Sequence, residues 1–154
     1  MYDEPFVVAV SNQHPWAHRK SINADEFKSE TMLLLGNGHC FRDQVLEVCP
    51  EMARFATSDD GIARTFEGSS LETIRHMVAS GIGITVLPMA SAPNPVSADG
   101  MLRHLPFSNP IPKRRIALVW RKSFTRSAAI TALQQVILSC NLPGVTMLPQ
   151  AVAS

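Results

Sequence analysis

The chain has 154 residues, with a hydrophobic fraction of 45% and a charged fraction of 18%, which suits one soluble globular domain with a real core. A formal net charge of +1 gives no electrostatic footprint for nucleic acid, so direct DNA binding by these residues is not expected. No run approaches the roughly 18 apolar residues of a membrane span, Met1-Tyr2-Asp3-Glu4 lacks a signal-peptide pattern, and three cysteines argue against a secreted disulfide framework; the expected setting is cytoplasmic.

Phe6–Val10 is a short apolar run between Asp3-Glu4-Pro5 and Ser11-Asn12, and predicts a buried strand. Asn23 to Ser29 predicts a short helix capped by Asn23. Thr31–Leu35 predicts a second buried strand, ending at the turn Gly36-Asn37-Gly38. A helix follows from about His39 to Val48, with Phe41, Val45 and Val48 on one stripe as its core face, a modest anchor for a helix that can be lost. The stretch from Pro50 to Ser70, with its Asp59-Asp60-Gly61 turn signal, reads as an elongated loop. Ser69 and Glu72 suggest a capping box for a helix to about Ser80 that buries Leu71, Ile74, Met77 and Val78, with Gly81 supplying its C-terminal turn.

Ile82–Leu87 predicts a strand. Gly81 and Gly83 are no dinucleotide fingerprint, because they follow a helix and no third glycine completes the pattern. Residues 88–112 are proline-rich, with a short strand at Met101–Leu105. Lys113-Arg114-Arg115 reads by default as a solvated strand end, and Ile116–Trp120 as another strand. Ser127 to about Cys140 predicts the last helix, with Ile130, Leu133, Val136, Ile137 and Cys140 at helical spacing; Cys140 then reads as inert. The tail Val145–Ser154 has no periodicity. Strands alternating with helices argue for an α/β domain with a mainly parallel sheet.

Cys40 and Cys49 lie at the two ends of the 39–48 helix. Nine helical steps rise about 13.5 Å and turn about 900°, placing the two side chains on opposite faces. A disulfide needs Cα atoms about 4.4–6.8 Å apart. The pair therefore bonds only if the segment refolds. Cys40 lies in the first turn, where free N–H groups and the dipole favour a thiolate, with His39 and Arg42 as adjacent cations. A thiolate attacks peroxide to give a sulfenic acid, which condenses with a second thiol. Cys49, just before Pro50 at the other end, reads as the resolving partner. The alternative is that both are small buried hydrophobes. His39, Cys40 and Cys49 lack the close paired spacing of structural zinc ligands, so no metal or other cofactor is expected.

The run Gly38-His39-Cys40-Phe41-Arg42-Asp43-Gln44, with a second cysteine nine residues after the first, resembles the redox segment of the peroxide-sensing LysR-type transcriptional regulators. Asp3-Glu4-Pro5-Phe6 with the following Val7–Val10 and His14–Ala17, the Ser69–Pro88 helix, glycine turn and strand, and Ile116–Arg121 are similar to the same family. The resemblance implies a type II periplasmic-binding-protein-like effector domain, mainly its second subdomain. Residues 1–112 would form that subdomain and carry the redox segment 38–50. Residues 113–144 would be the return strand and C-terminal helix that pack on the first subdomain in the family, and 145–154 a tail. The family's N-terminal winged helix-turn-helix, its linker helix and most of the first subdomain have no counterpart in these residues. With that partner missing, the 127–140 helix should leave an apolar stripe uncovered.

The resemblance also implies roles: Cys40 the peroxide-reactive thiol, Cys49 the resolving one, Gly38 and His39 against the peroxide, and Arg114 holding the thiolate and polarising the peroxide. Asp43 would order the reduced helix. The function so implied is a hydrogen peroxide sensor rather than an enzyme, a homo-oligomer reset by glutaredoxin or thioredoxin. DNA and RNA polymerase would be reached only through the full-length protein. The alternatives are an effector domain that binds a small organic ligand with passive cysteines, and, ranked last because there is no CxxC, a thiol peroxidase.

Overall fold

Ten consecutive residues form β1 (Tyr2–Ser11), the strand on which the rest of the chain is arranged. The computed structural model describes residues 1–50, 65–92, 94–97 and 99–148. After β1 come β2 (Met32–Leu35), α1 (Cys40–Val48), β3 (Thr65–Gly68), α2 (Leu71–Ala79), β4 (Thr85–Pro88), β5 (Leu102–Pro106), β6 (Lys113–Ile116), α3 (Ser127–Ser139) and β7 (Thr146–Met147). The expected loop turn Asp59-Asp60-Gly61 and residues 149–154 lie outside the described residues, as does the side chain of Val48.

The back half of β1 runs antiparallel to β4 on one side and β5 on the other, with Val8 opposite both Val86 and Leu105. Its front half pairs antiparallel with β6, and its tip with β7. Among the described residues, parallel pairing joins Ile22 with Phe107 just after β5, β2 with β3, and β2 with the segment leading into β4. There the Leu33 N–H donates to the Ile84 carbonyl and the Ile84 N–H to the Thr31 carbonyl, both at 2.9 Å. This approach requires glycine at 83, since a Cβ there would lie 2.4 Å from the Thr31 oxygen. The expected mainly parallel sheet is thus a parallel arm joined to an antiparallel centre. Strand and helix order along the chain sets the direction of β2, β3 and β4, but not that of a first strand inserted between later ones.

Because β1 is central, its back half is covered on both faces. Phe6, Val8 and Val10 join the main core with Ile22, Phe27, Leu33, Ile74, Val78 and Ile84, while Val7 and Ala9 face a smaller cluster with Leu87 and Ala92. Two-sided burial explains why Phe6–Val10 reads as a continuous apolar run rather than an alternating one. Each buried Val, Leu, Ile or Phe among them contributes about 1.5–3 kcal/mol on leaving water.

The Asn23 cap is present, with Glu26 completing a capping box, on a 3₁₀ turn over Ala24–Ser29. The N-cap of α2 is Ser70 rather than Ser69: its hydroxyl accepts the Thr73 N–H at 3.1 Å, and Glu72 lies 3.9 Å from Arg75. Two adjacent serines offer the same chemistry, and burial of Ile74 and Val78 sets the phase of the helix. The last strand before α3 is Lys113–Ile116, not Ile116–Trp120. Only the front of β1 offers it a partner, and Val119 is 90% exposed. No residue of α3 is buried; Leu133 and Val136 are exposed, and so is Cys140 at its C-cap, so the described residues leave the apolar stripe of this helix uncovered. Among the described residues, no helix is long and apolar enough to cross a membrane.

Candidate functional site

Gly38 has a φ of +91°, a left-handed conformation that favours glycine, and His39 then takes the extended N-cap position. The helix α1 starts at Cys40, and the Arg42 N–H donates to the His39 carbonyl at 2.9 Å. At the other end the Cys49 N–H closes the last turn on the Val45 carbonyl at 2.9 Å. Gly38, His39, Cys40 and Asp43 are all exposed, and Asp43 lies in the first turn, where a carboxylate faces the positive end of the helix.

Three contacts dock α1. Phe41 is buried edge-on against Phe6, with ring centroids 5.7 Å apart at 76°. Arg42 turns inward: its Nη1 donates to the Leu35 carbonyl at the end of β2 at 2.8 Å, and lies 2.8 Å from the Glu67 carboxylate of β3. Arg42 is thus a tether between helix and sheet rather than a cation beside Cys40. From the opposite side, Arg114 places its guanidinium 5.6 Å from the centre of the Phe41 ring, and its Nη1 donates to Gln44 Oε1 at 3.4 Å. Gln44 is four residues after Cys40, so the two share a face of α1. Arg114 therefore reaches the cysteine-bearing face of the helix, and is not a solvated strand end.

Its neighbours on β6 point elsewhere. Lys113 and Arg115 both pair with Asp3 at 2.8 Å. The Arg115 hydrogen bonds, followed by that of Lys113, hold the Asp3 carboxyl far below the usual carboxylate range.

The two thiols of the 38–50 segment differ sharply. Cys40 is exposed; Cys49 is 1% exposed and packed in the main core, and both are free. Burial pushes the Cys49 thiol up to about 11. The raised value means that the folded chain keeps a proton which the unfolded chain gives up near 9.0. Stability is therefore full below about pH 9 and falls as pH rises toward 11. It follows that iodoacetamide near pH 8 should label Cys40 and Cys140 while Cys49 stays unmodified in the native chain and reacts only after denaturant is added. Peptide mass mapping checks this, and native labelling of Cys49 would contradict the packing.

An intact α1 separates the two cysteines by about 13.5 Å along its axis, so the described arrangement belongs to the dithiol form. Glu4, Gln44 and Glu67 complete the surroundings of the helix, and none was among the expected site residues. Gln44 could have been found from its spacing to Cys40; Glu4 and Glu67 depend on strand pairing that no local pattern carries. Among the described residues no cluster of three His, Cys, Asp or Glu could hold a metal. A cavity of about 290 Å³ between the Ala24–Ser29 turn and the 107–112 passage has neither cysteine nor Arg114 in its lining.

A family model described as LysR substrate binding domain matches residues 1–139. A hydrogen peroxide-inducible genes activator of Pectobacterium carotovorum subsp. carotovorum is 42% identical over 121 residues, which cover 79% of this chain and 38% of that protein. Among solved structures, a reduced form of OxyR from N. meningitidis superposes with a TM-score of 0.84 at 38% identity, over 96% of this chain and 67% of that one. The reduced OxyR regulatory domain of Pseudomonas aeruginosa gives 0.74 at 46% identity, over 91% and 64%. The chain spans well under half the length of the curated relatives it matches.

Proposed function

Since this chain belongs to the LysR substrate binding domain family, we propose that it is regulatory sequence of a hydrogen peroxide-responsive transcriptional regulator, switched by a reversible Cys40–Cys49 disulfide. The observation that carries this reading is the placement of one exposed and one core thiol at opposite ends of a short helix that must open before they meet. The Cys40 sulfur attacks one peroxide oxygen, the O–O bond breaks, and the departing oxygen leaves as water after taking up a proton. The sulfenic acid on Cys40 then receives the Cys49 sulfur, a second water leaves, and two electrons have passed from the thiols to peroxide.

Gly38 and His39 lie at the approach to Cys40, Arg114 steadies the anion and polarises the peroxide, and Asp43 supports the dithiol helix. Losing α1 alters the surface formed by the 38–50 segment, and that change is the output: local chemistry biasing a bistable element. Residues 1–112 act as the switching subdomain, and β6, paired with β1, leads to α3, which packs on further sequence of the full-length protein; Thr146–Met147, expected in a tail, pairs with β1 instead. Homo-oligomer contacts, DNA and RNA polymerase are reached through that protein in the cytoplasm, and glutaredoxin or thioredoxin resets the disulfide.

The test is non-reducing peptide mapping after a near-stoichiometric dose of hydrogen peroxide to the reduced chain. A Cys40–Cys49 link with Cys140 free, and peroxide consumption that stops at about one per chain, is the expected result. Steady consumption with an external thiol would identify a peroxidase; no link would mean either passive cysteines of a ligand-binding domain or a switch that needs further sequence of the full-length protein, and the same mapping on a full-length chain separates the two.

A further inference from the structure

We propose that Glu4 is the positioning residue that aims Arg114 at the Cys40 face of α1, an inference that rests on the peroxide-sensing role proposed above. A carboxylate 1% exposed in the middle of a sheet is costly to bury unless both oxygens are satisfied. Here they are: Oε1 accepts the Ala90 N–H at 2.8 Å and Oε2 accepts the Arg114 Nε–H at 2.7 Å. The Ala90 backbone, just after β4, fixes the carboxylate, and the carboxylate fixes the arginine.

Strand register makes the assignment specific. Glu4 lies opposite Arg114 in the β1–β6 ladder, and Asp3 lies opposite Arg115. Side chains alternate across a sheet, so the two acids divide the basic run between two faces. Asp3 takes Lys113 and Arg115, which are themselves exposed, while among the described residues Glu4 is the acid that holds Arg114. Glu4 binds the guanidinium by its Nε edge. Nη1 is left directed at Gln44, and the planar group lies over Phe41. A guanidinium tethered on its rear edge presents its free donors in a fixed direction, the condition under which an arginine orients a reacting group.

The experiment measures the second-order rate of Cys40 oxidation by hydrogen peroxide in four chains: unsubstituted, Glu4→Gln, Arg114→Ala and the double variant. Cys49 protection from iodoacetamide near pH 8 reports on the packing of each. Glutamine keeps the shape of Glu4 but is neutral and offers a single acceptor oxygen, so Ala90 N–H and Arg114 Nε–H compete for it and Arg114 loses its ion pair. Glu4→Gln is expected to slow oxidation about 10- to 100-fold with Cys49 still protected, and to add nothing in the Arg114→Ala background. Equal slowing by Glu4→Gln in both backgrounds, or a wild-type rate for Glu4→Gln where Arg114→Ala is slow, would overturn the positioning role. A wild-type rate for Arg114→Ala would instead overturn the role of the arginine on which it depends. If Glu4→Gln does not fold, Glu4→Asp keeps the charge but shortens its reach by one methylene, and supports the same comparison.

Discussion

Replacing Cys40 with Ser is expected to abolish every peroxide-dependent change in α1. In the unsubstituted chain, peroxide should convert the slowly exchanging amides of residues 41–48 to fast exchange as the helix opens. In Cys40→Ser the exchange pattern should be the same with and without peroxide. The reason lies in the asymmetry of the two thiols. With its thiol held up to about 11 by burial, Cys49 is thiolate in only roughly one molecule in several thousand at pH 7.5, and the core shields it from peroxide. Cys140 is exposed but belongs to the C-cap of α3. No other thiol is therefore able to start the reaction at α1. The reciprocal Cys49→Ser chain should form a sulfenic acid on Cys40 that persists or proceeds to sulfinic acid, because nothing condenses with it. A peroxide-dependent exchange change in Cys40→Ser would sink the switch as described.

The helix α1 was the most legible part of the sequence, because its limits are set locally. Gly36-Asn37-Gly38 precedes it, Pro50 follows it, and the helix runs over Cys40–Val48 between them. Asn23 and Gly81 are legible for the same reason: a cap and a left-handed turn are chemistry within a few residues. What sequence reasoning missed is non-local. Asp3-Glu4-Pro5 reads as a polar boundary, yet these residues are the front half of β1, and the two acids are buried because basic residues more than a hundred positions away return to meet them. Within Lys113-Arg114-Arg115, whose flanking residues are indeed exposed, Arg114 looked solvated for the same reason. Arg42 seemed to belong to Cys40 by proximity along the chain, and the end of β2, seven residues earlier, claims it instead. Thr146–Met147 has no pattern of its own and is a strand only because the tip of β1 is beside it. Apolar periodicity in α3 was visible, but periodicity says only that a face wants cover, not that the described residues supply it.

The same structure sets how readily α1 is lost, and Phe41→Ala is the substitution expected to change that most. The Phe41 ring is the joint between three elements: it packs edge-on against Phe6 of β1, lies under the Arg114 guanidinium of β6, and is carried by the first turn of α1. Truncating a buried phenylalanine costs about 3–5 kcal/mol, and the place of this ring at the edge of the core, 9% exposed, points to about 3. That loss falls on the dithiol arrangement, in which the ring is docked. It does not fall on a disulfide form whose helix has already opened. Destabilising the reduced side by about 3 kcal/mol makes the disulfide harder to reduce, moving its midpoint potential about 60 mV more negative at 30 mV per 1.4 kcal/mol. Two measurements check this independently. Redox titration with a glutathione buffer should give the shifted potential, and iodoacetamide near pH 8 should begin to label Cys49 in the reduced variant, as local opening becomes more frequent. A lowered unfolding midpoint with neither change would mean that the ring stabilises the whole fold equally in both redox states. In that case the docking of α1 on Phe6 and Arg114 would not be what the disulfide works against.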